Sequence, residues 1–141
     1  MDVDCSRRRL DWLLRLAVCG ALVGHGAYGA VLAKPAWFTY FAVLGIPETI
    51  ARSTNLLVIV GTAEIAVGLF LFLFPLPALL LVATVWKIFT ELLRPAVGEP
   101  VWEFVERASN MIAPLALMYV HSRPAGLSRI GGRRRFTSHP T

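Results

Sequence analysis

Residues 55–93 read NLLVIVGTAEIAVGLFLFLFPLPALLLVATVWKIFTELL, two apolar runs joined only by Phe74-Pro75-Leu76-Pro77. A helix rises 1.5 Å per residue, so about 20 apolar residues cross the hydrocarbon core of a bilayer. Asn55–Phe74 and Leu76–Leu93 have about that length, and the prolines between them stop a single helix from running through. The short connection predicts two spans returning as a tight antiparallel hairpin. Each carries ionisable residues at membrane depth: Glu64 in one, Lys87 and Glu91 in the other.

Working outward, two further runs have a similar character. Trp12–Leu32 is apolar apart from Arg15 and His25. Glu103–Val120 is less apolar and carries Arg107 and Asn110; its run Met111–Val120 is too short to cross unless the polar turn before it also lies at membrane depth. The expectation is an all-α, integral membrane four-helix bundle over residues 11–121, with spans at about 12–32, 55–74, 76–93 and 103–120. The stretch 33–54 holds Trp37, Phe38, Tyr40 and Phe41 before Gly45-Ile-Pro47, which suggests an amphipathic segment lying at the membrane–water interface. Residues 1–10 read as a basic tail and 122–141 as a basic, disordered one.

Composition agrees. Hydrophobic residues make up 56% of 141 and charged residues 16%, against the quarter or so that a soluble domain needs. That excludes a soluble enzyme, a disordered chain and a secreted disulfide scaffold. Cys5 and Cys19 match no redox or metal-ligand spacing, and Cys19 reads as a small apolar filler; no metal site is expected. The net charge of +5 is gathered at the ends. Arg7, Arg8, Arg9, Arg15 and five C-terminal arginines make nine positive residues on one side, against Lys34, Arg52 and Arg94 on the other. The positive-inside rule then places both termini in the cytoplasm of a multi-pass protein of the bacterial inner membrane. The rival reading, a cleaved signal peptide at the first apolar run, is disfavoured because Arg15 interrupts that run and no small-x-small site ends it early.

The polar residues within the spans fall at one depth. From the span centres, Glu64 and Lys87 come out near the midplane, His25 about 4 Å outward, and Glu91 and Arg107 roughly 7 Å outward. Asn110 lies between. Lys87, Glu91 and Arg94 are spaced i, i+4, i+7, and so are Glu103, Arg107 and Asn110, with Glu106 beside them. With both faces turned inward, Glu64, Glu91 and Glu103 or Glu106 neutralise Lys87 and Arg107, and a charged pocket opens outward above a Leu- and Val-rich floor. The candidate ligand-binding residues are therefore His25, Glu64, Lys87, Glu91, Glu106, Arg107 and Asn110. A structural reading stands beside this one: buried ion pairs hold bundles together, Arg15 snorkels, and Gly20, Gly24, Ala27, Gly61 and Gly68 permit close helix contact.

Several stretches resemble the DoxX-like family of small bacterial membrane proteins. They are Arg15-Leu-Ala with Cys19-Gly and Gly24-His25-Gly26, the loop end Leu44-Gly45-Ile46-Pro47, and Gly61-Thr-Ala-Glu64-Ile-Ala-Val-Gly68. The run Leu93-Arg-Pro through Gly98-Glu-Pro-Val-Trp102 to Glu106-Arg107 and Asn110 is similar to a subgroup signature. The chain departs from the pattern at Ala27-Tyr28-Gly29, where many members carry a lysine or similar polar residue. The resemblance covers about residues 11–121. It implies a four-helix membrane bundle related to subunits of thiosulfate:quinone oxidoreductases and to complexes that handle oxidative or thiol stress.

Two functions compete. In the first, the chain is a membrane component of a quinone- or thiol-linked redox system. His25 and Glu64 hydrogen-bond the ligand and pass protons, and Lys87 or Arg107 stabilises a developing negative charge. No CxxC, dinucleotide-binding motif or haem-ligand pair is present, so a redox partner subunit, or the quinone itself, supplies the electron chemistry. In the second, the chain is non-catalytic: an assembly partner, a homo-oligomer, or a binder of lipid or a small ligand. The arginine tail attracts anionic headgroups, and nucleic-acid binding has no supporting fold or aromatic platform. A proton-coupled transporter is disfavoured by the apolar inner half.

Overall fold

The structure, a computed structural model, describes residues 3–122. The expected C-terminal tail, with its five arginines, lies outside the described residues. Seven α-helices and one 3-10 turn make up the described chain, without a strand: α1 (Val3–Ala30), the turn Pro35–Trp37, α2 (Phe38–Val43), α3 (Glu48–Ser53), α4 (Leu56–Leu73), α5 (Pro77–Ala96), α6 (Val101–Glu106) and α7 (Ala108–Ser122). The chain is all-α. Helix α1 starts at Val3, so the basic stretch before Trp12 is helical and continuous with the apolar run.

Two helices are long and apolar enough to cross a bilayer: α1 over Cys5–Ala30, with mean hydropathy 1.3, and α4, with 2.5. Helix α5 has 20 residues but carries Lys87, Glu91 and Arg94. The fourth apolar stretch is not one helix. Arg107, at φ −93 and ψ 10, turns the chain between α6 and α7, and leaves α7 with 15 residues.

Packing order differs from the hairpin expected for the second and third apolar runs. Helix α4 packs along α1, α5 packs on α7, and α7 on α1, while the backbones of α4 and α5 diverge despite their three-residue connection and meet through side chains such as Leu71 and Leu80. The reason lies in the glycines. Gly61 sits against the backbone of Gly26, Gly29 and Ala30, and Gly68 against Cys19 and Leu22, so α4 is drawn onto α1 with backbones in contact. A Cβ at Gly61 would overlap Gly26 O and Ala30 N. A seam stays open between α4 and α5. Gly20 and Gly24, expected in helix contacts, have nothing within 4 Å of an added Cβ and border open space instead.

One end of the bundle is apolar inside. Val18 and Leu22 of α1, Leu71 of α4, Leu80 and Ala83 of α5 and Leu117 of α7 are all buried together. This is the Leu- and Val-rich floor expected beneath the polar layer. Below it, Arg15 pairs with Asp11 at 2.8 Å and donates to Phe72 O and Leu73 O, capping the last carbonyls of α4. The other face of the helices is apolar too: Leu13 and Leu16 of α1, Ile59 and Leu69 of α4, Val82 and Val85 of α5 and Ile112 of α7 are all exposed.

Candidate functional site

The buried polar residues gather on the side of the bundle away from this floor. Glu64, at 4% exposure in the middle of α4, is the centre. Its Oε2 lies 2.6 Å from His25 Nδ1 of α1, and its Oε1 accepts from Trp86 Nε1 of α5. Glu64 thus ties together three helices, α1, α4 and α5. Above it Trp37 stacks on the imidazole, with centroids 4.6 Å apart and planes at 30°. Segment 33–54 is therefore a cover over the polar centre: its Trp37, Phe38 and Ala51 form a small core with Leu57 of α4.

A second node is Arg94. It is buried at 6% exposure, although Arg94 at the end of an apolar run reads in sequence as a headgroup-level charge. Its Nε donates to Glu91 Oε2 and its Nη1 to Glu99 Oε2, both at 2.8 Å, with Glu103 Oε2 at 3.9 Å. Gly98, at φ +89, supplies the left-handed turn that swings Glu99 back onto Arg94. Tyr40 from the covering segment donates to Glu99 at 2.7 Å. Burial drives the Tyr40 hydroxyl well above the ordinary phenol range, and the Glu99 bond adds to this. For Glu99, burial acts upward but is outweighed by the bonds from Tyr40 and Arg94, and its carboxyl lies below the usual carboxylate range.

Six of the seven residues expected at this site come together. His25 and Glu64 are bonded. Glu91, fully buried, is held by Arg94 and lies 3.9 Å from Arg107 Nε. Arg107 pairs more closely with Glu103, at 3.5 Å, and Asn110 borders the same space. Lys87 is buried at 1% exposure, but no carboxylate oxygen among the described residues lies within 4 Å of its ammonium, and its Nζ has no hydrogen-bond partner among them. Glu106 stands exposed, away from the others, because the turn at Arg107 leaves Glu103, one turn back, as the carboxylate that meets the arginines. Trp86, Trp37, Arg94, Glu99 and Tyr40 complete the site without having been singled out as its members. Arg94 carried a signal, its i, i+3 spacing from Glu91. The tryptophans carried none, since in an apolar run they read as filler or interface anchors.

Three spaces adjoin the centre. A small cavity of about 70 Å³ is walled by His25, Trp37, Tyr40, Glu64, Trp86 and Arg94 with apolar Phe41, Leu57, Phe89 and Leu93. The α4–α5 seam is an apolar groove of about 310 Å³, walled by Ile59, Val60, Ala63 and Val67 on one side and Leu79, Val82 and Ala83 on the other. Val60, Glu64 and Trp86 border both, so the groove leads from the outer face to the carboxylate. The third space, of about 200 Å³, lies on the other side of His25 and Trp37 against Gly20, Gly24, Arg94, Arg107 and Asn110.

Comparison with protein-family models, with curated proteins and with solved structures found no match.

Proposed function

We propose that the chain is a four-span, DoxX-like protein of the bacterial inner membrane, with both termini cytoplasmic, that binds a lipid-soluble quinone or quinol as the membrane component of a redox system. Four spans are favoured by the inside-out distribution of the side chains. Charged Glu64, Lys87, Glu91 and Arg94 are buried while large apolar residues of the long helices are exposed, the reverse of a water-soluble bundle. In this reading α5 crosses with its charges facing inward, and α6 and α7 form the broken fourth crossing, whose turn at Arg107 faces protein rather than lipid.

The single observation that carries the ligand class is the carboxylate at the inner wall of the apolar groove. A cavity of about 150 Å³ is the size that takes benzene, so the 70 Å³ space beside His25 is too small for a quinone ring by itself, whereas the 310 Å³ groove admits one from the lipid side. That geometry favours a membrane-dissolved ring over a water-soluble thiol compound. A quinol hydroxyl reaching Glu64 would donate to its carboxylate, with His25 beside it to share the proton.

The test is native mass spectrometry of the full chain extracted gently from its own membrane. A quinone co-purifies with the wild type, is lost in Glu64→Gln, and is lost in Ala63→Phe, which fills the groove without touching the carboxylate. Ligand-free wild type, or equal occupancy in both variants, overturns the reading. The same open seam favours a second reading, in which a helix of an assembly partner fills it. Stoichiometric co-purification of another subunit without quinone would select that one.

A further inference from the structure

The third space differs chemically from the other two. No carboxylate borders it, yet Lys34, Arg94 and Arg107 do, together with the amide of Asn110. The carboxylates nearby are engaged on other edges of these groups: Glu91 and Glu99 hold Arg94 at Nε and Nη1, and Glu103 holds Arg107 at Nη2. Lys34 has no carboxylate within 4 Å among the described residues, its ammonium resting on the Tyr28 ring at 5.8 Å, and Arg107 Nε is buried without a hydrogen-bond partner among them. The ion pairs thus hold two guanidinium groups at the wall of a common space. That space exists because α1 presents Gly20 and Gly24 there, with nothing within 4 Å of an added Cβ. Glycine inside a helix costs stability unless its lack of a side chain is used, and here no helix approaches to use it.

We propose that this space is a binding site for a phosphate-class oxyanion, held by Arg94, Arg107, Lys34 and Asn110. Planar guanidiniums match such an anion by paired N–H bonds, and a tetrahedral oxyanion is far smaller than 200 Å³, so a headgroup with its substituents also fits. The anion comes either from a lipid headgroup or from solution. The inference is independent of the quinone reading, which concerns the opposite side of His25 and Trp37.

The test titrates inorganic phosphate, at constant ionic strength, into the full-length protein in detergent by calorimetry. In parallel, the protein is reconstituted into phosphatidylcholine nanodiscs with and without phosphatidic acid, and retained lipid is counted by native mass spectrometry. Two variants accompany the wild type: Gly24→Leu, which fills the space from an open helix face, and Lys34→Gln, an exposed position. Saturable phosphate binding, weakened about tenfold or more in each variant as expected for loss of a charge-assisted hydrogen bond, identifies a free anion as ligand. Selective retention of phosphatidic acid, lost in each variant, identifies a headgroup. Neither phosphate binding nor phosphatidic acid retention in the wild type overturns the proposal, and so does either variant binding as the wild type does. If Gly24→Leu does not fold, Lys34→Gln decides alone.

Discussion

Glu64 shows how one residue can carry two loads. Its carboxylate takes one bond from α1 and one from α5, and it is nearly sealed from water. Removing one donor leaves a buried acceptor unpaired, which costs about 1–3 kcal/mol, more if the group is charged. Trp86→Phe should therefore lower stability by about that amount in SDS unfolding titrations, with the apolar ring otherwise preserved. Tyr40 and Glu99 make a pH prediction. A phenol whose folded pKa is raised stabilises the fold fully below its unfolded value of about 10, and that contribution fades as pH rises further. Glu99 acts oppositely: its lowered folded pKa contributes above the unfolded carboxylate value near 4.3, and the contribution is lost as pH falls through the folded value. Tyr40→Phe should flatten the alkaline limb of stability against pH above about 10, measured by thermal unfolding across buffers. An unchanged alkaline limb would mean that the hydroxyl is not held as the geometry indicates.

Helices α1 and α4 illustrate how glycines of one composition serve opposite purposes. Gly61 is in backbone contact with α1, while Gly20, on α1 itself, borders open space. Gly61→Ala should destabilise by about 1–3 kcal/mol through overpacking. Gly20→Ala, which removes only the entropic cost of glycine in a helix, should stabilise by about 0.5–1 kcal/mol. Both are read by the same unfolding titration, and equal effects would contradict the asymmetric packing. From sequence alone the two glycines look alike, because helical spacing says which residues share a face but not which face meets a neighbour. Glu103, at i, i+4, faces Arg107 by helical spacing, whereas Glu106, its immediate neighbour in the chain, does not.

At the scale of the whole molecule, the distribution of charge and apolar surface is the argument for a bilayer, and it can be tested directly. Val85 is 59% exposed on α5. If that face meets lipid, Val85→Lys costs about 2.5–3.5 kcal/mol near the membrane centre and lowers the inserted fraction in a membrane-integration assay. On a water-facing surface the same change would be tolerated and would improve solubility. Reporter fusions at the two ends should both read cytoplasmic; a split result would remove one crossing and with it the four-span reading.

The sequence by itself determined the helical class and the grouping of polar residues, His25 and Glu64 among them, beside an apolar floor. Those follow from run length, helix rise and the rarity of ionisable groups in apolar segments, all of which are properties of the chain in one dimension. Only the tertiary structure decided that α4 leaves α5 for α1, that Arg94 lies inside, that Trp86 and Trp37 enclose the imidazole–carboxylate pair, and that Gly20 and Gly24 open a space rather than close one. The reason is that periodicity fixes the azimuth of each residue on its own helix, whereas partner choice depends on the summed fit of two whole faces. Here backbone-to-backbone contact at Gly61 and Gly68 outweighs the closeness that a three-residue connection would impose.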